Sequence, residues 1–431
     1  MKVFSRSGAV LAFFFSPLLF AGAADWDASG YGNLSDFLQD IYGIDNNAGL
    51  TAFPVLNVPM GGRSAALSGA FSAVANDISY IEWNPAGSAT LEQTGLAFFH
   101  NNWIADTKIE AAAFATRFGN LGLGLAGKWL WTPFTEYGDF GEHLSKGYYS
   151  EAVASVNISY NLFRRYYFEG ISLGMNLKAA LRSVPDFAGE AESVVSGSGK
   201  GQSAVAFMGD VGFLTRINLF KPYVGNDKNT AFALVFRNYG SDVSGDPLPT
   251  ALVAAVSYKP LRPVTLSFDA AFPLHITDFY NVDFRLSEKP SFSFGVSGII
   301  TQFLQAHFGF TLKSGGIRIA AGTEININSM NFYLNYTLDL LTQLQPLNRV
   351  TIGVRFDMGD RGRSEKRDKA EQFYLEGLQA YNEGRDDDAR AAWEDALSID
   401  KYFQPASEAL IVLDNFEALE KRINDMVTGL D

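Results

Sequence analysis

The sequence has no cysteine, only four histidines and, beyond its first residues, no long apolar run. The lack of cysteine excludes disulfides, zinc–cysteine sites and thiol nucleophiles. The histidines are far apart in the chain and lack metal-ligand spacing, so no metal site is expected; they are His100, His143, His275 and His307. No stretch after the N-terminal region reaches the roughly 18–20 unbroken apolar residues of a membrane-spanning helix.

Motifs of common enzymes and nucleotide-binding proteins are also missing. There is no nucleophile elbow, P-loop or dinucleotide fingerprint, and no cofactor is expected. The sequence identifies no serine partner for His307, so an outer-membrane phospholipase is not expected. A formal net charge of −13, without a basic cluster, argues against nucleic-acid binding. We therefore predict that the protein is not an enzyme.

The first 24 residues have the parts of a secretory signal peptide. Lys2 and Arg6 give a positive start, residues 8–20 are apolar but interrupted by Pro17, and 21–24 offer small residues for cleavage. A retained membrane anchor is the alternative.

The long middle part, residues 94–359, alternates apolar and polar side chains with a period of two. Along 330–340, for example, Phe332 and Leu334 share an apolar face opposite Asn335. Such runs are about ten residues long, the length that a tilted strand needs to cross a bilayer. An apolar outer face and a polar inner face are typical of an all-β transmembrane barrel. A soluble β-sandwich is the alternative.

The alternation predicts fourteen antiparallel strands. Their expected bounds are 94–103, 109–118, 120–131, 150–162, 170–184, 203–217, 229–240, 249–260, 263–275, 291–301, 303–313, 316–326, 329–340 and 348–359. The wide gaps 132–149, 185–202 and 276–290 all follow odd-numbered strands and so lie at one end, whereas most connections at the other end are tight. This asymmetry predicts the outer membrane of a diderm bacterium, with both chain ends in the periplasm.

Residues 25–93 precede the first strand and do not alternate. A helix is predicted over 33–44, and a segment rich in Gly, Ala and Ser follows at 62–87. Fourteen strands enclose a lumen too wide for wall side chains alone to fill. Because small side chains let a backbone pack closely against the wall, we expect 25–93 to form a plug, or hatch, inside the barrel. A surface loop or periplasmic arm is the alternative.

The segment 62–87 resembles the hatch of the FadL family of outer-membrane long-chain fatty acid transporters. The resemblance rests on Gly62-Arg63, Gly69-Ala70 and Asn84-Pro85-Ala86. The ending WNPAG, which includes Gly87, looks closer still to the PorV-like and spirochaetal branch. Asn76-Asp77 stands where the family usually has an acidic pair, which puts a role for two carboxylates in doubt.

The resemblance implies a route for a hydrophobic ligand. The ligand binds at an outer groove, moves to a lumen site, and passes when the hatch shifts. Lateral exit through a kink in the third strand is also implied, with Gly122, Gly124 and Gly127 as candidates for the gate. Glycine inside a strand permits a bulge or close backbone approach. The alternative is that these glycines only make room for the plug.

Two groups of side chains are candidates for ligand contact. Lumen-facing cations could hold a ligand carboxylate by charge-assisted hydrogen bonds; they are Lys178, Arg182, Arg318 and Arg355. Pairing with the lumen carboxylates Asp269, Glu324 and Asp339 is the alternative. The apolar candidates in the plug are Phe71, Tyr80 and Trp83, whereas Arg63 and Asp77 are expected to anchor the plug by buried pairing.

After residue 359 the composition changes. Residues 360–369 form a charged linker, and 370–431 form a helical tail that resembles one tetratricopeptide repeat plus a further helix, 405–427. The repeat-like positions are Gly377, Tyr381, Gly384, Ala389, Trp393, Ala396 and Leu397. One repeat is too few for stability alone, so we expect the tail to dock on the periplasmic rim or on a periplasmic protein. A helical cap without a partner is the alternative.

The leading hypothesis is a FadL-like barrel that passes long-chain fatty acids or other hydrophobic molecules. The second is a PorV-like, non-transporting component of a secretion or surface-assembly machine, and a general porin is a third. A continuous apolar pocket between plug and wall would favour the first hypothesis. A sealed lumen with an apolar docking face on the loops or tail would favour the second.

Overall fold

The computed structural model describes residues 49–428 apart from 105, 138–139, 185–202, 226, 244, 277–281, 314 and 342–346, together with residues 40, 43, 45 and 47. The predicted signal peptide and nearly all of the predicted helix 33–44 lie outside these residues. No helix in the described part of the chain is both long and apolar enough to cross a membrane.

Fifteen strands form the body of the described structure, at positions close to the predicted ones. They are β1 Gly95–Asn102, β2 Lys108–Phe118, β3 Leu121–Tyr137, β4 His143–Leu162, β5 Ile171–Ser183, β6 Ala204–Ile217, β7 Thr230–Tyr239, β8 Ala251–Leu261, β9 Val264–Ile276, β10 Val282–Leu286, β11 Ser291–Ile299, β12 Leu304–Lys313, β13 Gly316–Ile327, β14 Met330–Asp339 and β15 Leu347–Asp357.

The strands close into an antiparallel wall of fourteen members. From β1 to β9 and from β11 to β15 each strand pairs with the next, β9 pairs with β11, and β15 returns to pair with β1. Strand β10 pairs with the last residues of β9, from Leu274 to Ile276, whereas β11 pairs with β9 from Val264 to Ala271. Because β10 only extends this hairpin, the prediction of a closed fourteen-stranded barrel is confirmed.

The wall has an apolar outside and a polar inside. Along β5, Leu173, Met175 and Leu177 are exposed on the outside, whereas Asn176 and Lys178 are buried on the inside. This alternation suits a wall that faces the hydrocarbon layer of a membrane. We call the end with the connections 119–120, 262–263 and 328–329 the turn end, and the opposite end the loop end.

The region 132–149, predicted as a wide connection, is mostly strand. Strand β3 continues to Tyr137 and β4 begins at His143, so the two strands have 17 and 20 residues. Beyond Trp131, where the pairing with β2 stops, they continue to pair with each other. The prediction was wrong here because two strands can form backbone hydrogen bonds with each other on one side even where neither has another neighbouring strand. Contacts between rings, such as Trp131 with Tyr148 at 6.0 Å, add to this protruding hairpin.

Two sets of helices lie outside the wall sequence. Before β1 come the short helices α1 Gly62–Ala66 and α2 Tyr80–Trp83, with the 3₁₀ turns Pro54–Asn57 and Pro85–Thr90. After β15 come α3 Arg363–Asn382, α4 Asp386–Ile399 and α5 Gln404–Thr428. Helix α3 begins inside the stretch predicted as a linker, because Asp360 accepts hydrogen bonds from the amides of Gly362 (2.9 Å) and Ser364 (2.6 Å) at its start.

The C-terminal helices contact the turn end of the barrel. Their core contains Gly377 against the Trp393 indole, as the predicted repeat requires, although the repeat assignment itself stays a prediction. Phe403 packs edge-on against Tyr166 of the β4–β5 turn, with 5.2 Å between ring centroids. Arg363 donates to the carbonyl oxygen of Arg117 at 2.8 Å. The tail is therefore attached to the wall at the first residue of α3 and at Phe403, which directly precedes α5.

Candidate functional site

Residues 52–90, which we call the lumen segment, pass through the barrel. The Ala52 amide donates to the Pro247 carbonyl oxygen at the loop end (2.8 Å), and the Thr94 amide donates to Gly359 at the turn end (2.9 Å). Between these points the segment contacts β2 to β6 on one side and β12 to β14 on the other. Because these strands lie on opposite arcs of the ring, the segment between them lies in the lumen.

The chain enters the lumen segment from the loop end. The Gly49 amide donates to Glu288 (3.3 Å), and Asp45 accepts from the Lys289 amide (2.6 Å), both in the β10–β11 connection. Both chain ends were expected in the periplasm, and this stays a prediction because the first residues of the chain lie outside the described structure. The described part of the chain runs through the lumen from the loop end to the turn end, where the C-terminal helices also lie.

Asn84 and Pro85 fix the second half of the lumen segment to the wall. The Asn84 side chain donates to the carbonyl oxygens of Ser72 (2.8 Å) and Phe213 (3.1 Å), and it accepts from the amide two residues on (3.0 Å). The Asn157 amide of β4 donates to the Pro85 carbonyl oxygen at 2.9 Å. Proline suits this position because the first residue of the turn has no partner for an N–H group.

Arg63 and Asp77 form the charged part of the same interface. Arg63 pairs with Glu324 of β13, and its amide donates to Asp77 at 3.1 Å. Asp77 in turn lies 3.5 Å from the Arg355 guanidinium of β15. Both motif residues thus lie at a buried contact between segment and wall.

Glycines of the inner wall make space for this close packing. A Cβ on Gly122 or Gly174 would collide with the backbone of the 3₁₀ turn Pro85–Thr90, and one on Gly124 would meet the Tyr80 hydroxyl. On the opposite side, a Cβ on Gly309 would collide with the backbone of the lumen segment. Within the segment, Gly62 and Gly69 have positive φ, and Gly87 lies against Tyr80.

Gly127 differs from the other two candidates for the gate. It lies on the outer face of β3, and its Cβ position has no neighbour within 4 Å. Gly122 and Gly124 therefore accommodate the lumen segment, whereas Gly127 leaves a gap in the outer surface.

The cationic candidates for ligand binding have carboxylate or aromatic partners. Lys178 pairs with Asp210 at 2.6 Å, Arg318 with Asp339 at 2.7 Å, and Arg355 with Asp357 at 2.8 Å. Arg182 lies over the Phe53 ring at 5.7 Å. Of the apolar candidates, Phe71 and Tyr80 are fully buried in the core between segment and wall, and Trp83 is partly buried.

A cavity of about 150 Å³ remains between the lumen segment and the wall, toward the loop end. Charged side chains line much of it, and most are paired: Lys128 with Glu82, and Lys313 with Glu288. Arg237 of β7 is the exception. Its guanidinium lies 4.8 Å from the Trp83 ring, and within the described structure it has neither a hydrogen bond nor an ion pair. Arg237 is not among the candidates predicted from the sequence, although its inward position follows from the period-two alternation of β7.

An open groove of about 530 Å³ lies on the outer face of the wall, over part of the same region. Its floor consists of small residues that pair side by side across β2 to β5: Ala112, Gly127, Ala154 and Ala179. The cavity and the groove share four lining residues, namely Ala126, Gly127, Ser155 and Lys178. The cavity and the groove therefore lie on opposite faces of the same single layer of strands, whose outer face is made of small residues here.

His307 does have a serine neighbour, contrary to the sequence analysis. Ser297 lies directly opposite on β11, and its Oγ is 2.9 Å from the His307 Nδ1. The pairing of β11 with β12 creates this contact, which the sequence spacing does not reveal. The Nε2 atom is buried without a hydrogen-bond partner, 3.9 Å from a Glu324 that is already paired with Arg63. The arrangement therefore lacks a carboxylate free to orient the histidine as a base.

Known proteins resemble this chain in sequence and in fold. Two UPF0164 proteins of Treponema pallidum (strain Nichols) are 26% and 25% identical to it; the alignments cover 85% and 86% of this chain and 84% and 77% of theirs. Among solved structures, the CymD monoaromatic hydrocarbon channel has a TM-score of 0.46 and 12% identity over 72% of this chain and 99% of that one. A TodX deltaS2S3 mutant monoaromatic hydrocarbon channel has a TM-score of 0.44 and 12% identity over 66% of this chain and 94% of that one.

A family model with the description "Uncharacterised protein family (UPF0164)" matches residues 43–360, which include the lumen segment and the whole wall. The chain belongs to the UPF0164 family.

Proposed function

We propose that this protein lies in the outer membrane of a diderm bacterium and passes long-chain fatty acids or similar hydrophobic molecules, with the lumen segment as a movable hatch. The observation that carries the proposal is the single layer of strands between the inner cavity and the outer groove, around Gly127. Strand β3 pairs with β2 and β4 without a bulge at Gly127, so a molecule that passes from the cavity into lipid must separate these strands. The side chains that line the cavity indicate the chemistry of the ligand, and the wall beside the cavity indicates the exit route.

Arg237 and Trp83 supply the chemistry for a carboxylate with an apolar chain. Asp269, Asp210 and Glu82 are near Arg237, but its guanidinium forms no ion pair or hydrogen bond with them in the described structure. Such a guanidinium can bind a ligand carboxylate through two parallel hydrogen bonds. The Trp83 ring beneath it and the adjacent Ile81 offer apolar contact to the first carbons of the chain. The paired cations Lys178, Arg182, Arg318 and Arg355 would take part only if their present partners were displaced.

The described conformation is a closed state. A cavity of about 150 Å³ is smaller than the roughly 300–1,000 Å³ of typical ligand sites, so the lumen segment must move before a long chain fits. Hydrogen bonds and ion pairs hold much of the segment, and each neutral hydrogen bond contributes only about 0.5–1.5 kcal/mol. A ligand that replaces some of these contacts therefore favours a shifted segment. Release would follow sideways past Gly127 into the outer groove.

A reversible cross-link tests whether the segment must move. The Oγ atoms of Ser68 in the segment and Thr311 in β12 lie 2.9 Å apart, and the chain has no natural cysteine. The double variant Ser68→Cys/Thr311→Cys should lose uptake of radiolabelled oleate into liposomes when oxidised and regain it on reduction. Thr94→Cys/Thr116→Cys is the matched control, since its Oγ atoms lie 3.0 Å apart but link β2 to the start of β1 rather than to the segment.

The outcomes separate the parts of the proposal. Uptake that survives in the oxidised Ser68→Cys/Thr311→Cys variant would refute a moving hatch. Failure of the wild-type protein to take up oleate, or to carry fatty acyl species above a porin control in mass spectrometry of co-purified lipids, would refute fatty acid transport itself.

A non-transporting role in a surface-assembly machine is the second candidate, and one observation favours it. Helix α5 exposes large apolar side chains at alternating spacings of four and three residues: Val412, Phe416, Leu419, Ile423 and Met426. Such a stripe is typical of a face that packs against another helix. Under this alternative, Leu419→Glu should abolish site-specific cross-linking from α5 to a periplasmic protein, while liposomes with the wild-type barrel take up no oleate.

A further inference from the structure

Five arginines from separate parts of the chain meet at the turn end, where the lumen segment leaves the barrel. They are Arg117 at the end of β2, Arg164 in the β4–β5 turn, Arg216 in β6, and Arg361 and Arg363 at the start of the tail. The sequence shows no basic cluster, because only the closed barrel brings these residues together.

Arg117 is the centre of this group. Only 8% of the residue is exposed, and its Nε atom is buried without a hydrogen-bond partner. Among the described residues, its guanidinium makes no hydrogen bond and no ion pair. Its charged neighbours are Arg164, Arg216 and Arg363, with Glu92 as the nearby acid. A buried charge in such surroundings is costly unless an anion compensates it.

The local carboxylates do not supply that anion. Asp360 is occupied by the amides of Gly362 and Ser364 at the start of α3. Glu169 lies 4.0 Å from Arg216, and Glu92, which is exposed, is the one acid in the described structure that acts on Arg117, Arg216 and Arg363 alike. Positive charge therefore exceeds negative charge around the Arg117 guanidinium.

We propose that this cluster, which we call the Arg117 site, binds a phosphate group. Phosphate matches the guanidinium fork through two parallel hydrogen bonds and has further oxygens for Arg363 and Arg216, whereas a carboxylate has only two oxygens. The phosphate belongs to a phospholipid head group of the leaflet at the turn end or to a free phosphate ion. The site is separate from the cavity near Arg237, so it does not depend on the proposed transport.

Thermal unfolding of the full-length protein in neutral detergent tests this site. The probes are inorganic phosphate, phosphatidylglycerol, and dioleoylglycerol as the matched lipid without phosphate. We expect one of the phosphate probes, but not dioleoylglycerol, to raise the Tm of the wild type. Arg117→Gln should lose this shift, and its Tm without probe should be equal to or above that of the wild type, because the variant removes an uncompensated buried charge.

Two further variants make the test specific. Arg117→Lys keeps the charge but loses the fork, and it should bind the active probe at least tenfold more weakly in a titration. Arg390→Gln removes an exposed tail arginine that already pairs with Asp414 and Glu417, and it should respond like the wild type.

The results assign the source of the phosphate or reject the site. A shift with phosphatidylglycerol alone identifies a lipid head group, and a shift with inorganic phosphate identifies a free ion. The proposal is overturned if neither probe shifts the wild type, if dioleoylglycerol acts as well as phosphatidylglycerol, or if Arg117→Gln retains the full shift.

Discussion

Arg63 and Glu324 are joined by two parallel hydrogen bonds, from Nε to Oε2 at 2.5 Å and from Nη2 to Oε1 at 3.1 Å. The Glu324 side chain is fully buried and that of Arg63 is 14% exposed. The pair connects the first helix of the lumen segment to β13. Because both groups are removed from water, the loss of one leaves a buried charge without its partner.

Replacement of one partner should therefore be more harmful than replacement of both. We expect Arg63→Met to lower the free energy of unfolding by about 3–5 kcal/mol, and the double variant Arg63→Met/Glu324→Leu to recover much of that loss. Guanidinium unfolding in detergent, followed by tryptophan fluorescence, measures the effect. Arg390→Met in the exposed tail is the control. Equal losses in the single and double variants would argue against a buried, coupled pair.

The wall glycines give a second prediction, since some of them leave no room for a Cβ atom and others do. Gly174→Ala places a Cβ against the backbone at Pro85 and should cost about 1–3 kcal/mol of stability, as overpacked sites do. Gly127→Ala adds a Cβ in open space on the outer face and should leave stability unchanged. The temperature at which the folded, fast-migrating band disappears in electrophoresis compares the two variants. Equal shifts would mean that the lumen segment does not pack against β5 as described.

The wall could be predicted from the sequence because its physical signal is local. The side chains of each strand must point alternately to lipid and to the lumen. The apolar Leu334 and the polar Asn335 can therefore be assigned to the outer and the inner face from the sequence alone. The protruding β3–β4 hairpin was missed for the opposite reason. Beyond Trp131 the hairpin protrudes from the wall, so its two faces no longer separate lipid from lumen. Apolar and polar side chains need not alternate there, and the pattern does not reveal the strands.

The site was less predictable because it depends on which residues the closed ring brings together. The small side chains at 62–87 indicated a segment packed against a wall, but not that Asn157 would hold Pro85. The Ser297–His307 contact and the Arg117 site join residues from different strands and loops. Charge pairing also decides which cations are available, and Arg237 could be distinguished from Lys178 only when partners were known.

Arg237 gives the third prediction, which concerns the charge of the ligand. Under the proposed function, Arg237→Gln should weaken oleate binding about tenfold or more, because a hydrogen bond to a charged group contributes about 1.5–3 kcal/mol. Binding of the uncharged oleyl alcohol should change little. Arg318→Gln is the matched control, since Arg318 is already paired with Asp339. Tryptophan fluorescence, to which Trp83 beside Arg237 contributes, follows both titrations and gives both affinities. Equal weakening of oleate and oleyl alcohol binding would contradict a carboxylate contact.

Tyr166 gives the last two predictions, because it joins the barrel to the tail. Its ring contacts Phe403 at 5.2 Å, and such aromatic pairs contribute about 0.5–1.5 kcal/mol beyond the burial of area. Tyr166→Ala should therefore increase hydrogen exchange at the start of α5 while the wall stays protected. Phe163→Ala, at an exposed position of the same turn, is the control and should leave exchange in α5 unchanged.

The same contact should weaken at high pH. Burial raises the pKa of the Tyr166 phenol, and the nearby Glu371 raises it further. A raised pKa means that the docked tail favours the neutral phenol, so this contribution is fully present below the ordinary tyrosine pKa of about 10 and is lost as the pH rises through the raised value. Exchange in α5 of the wild type should thus increase above that pH more steeply than in Tyr166→Phe, which has no proton to lose. Parallel profiles for the two proteins would show that another group controls docking of the tail.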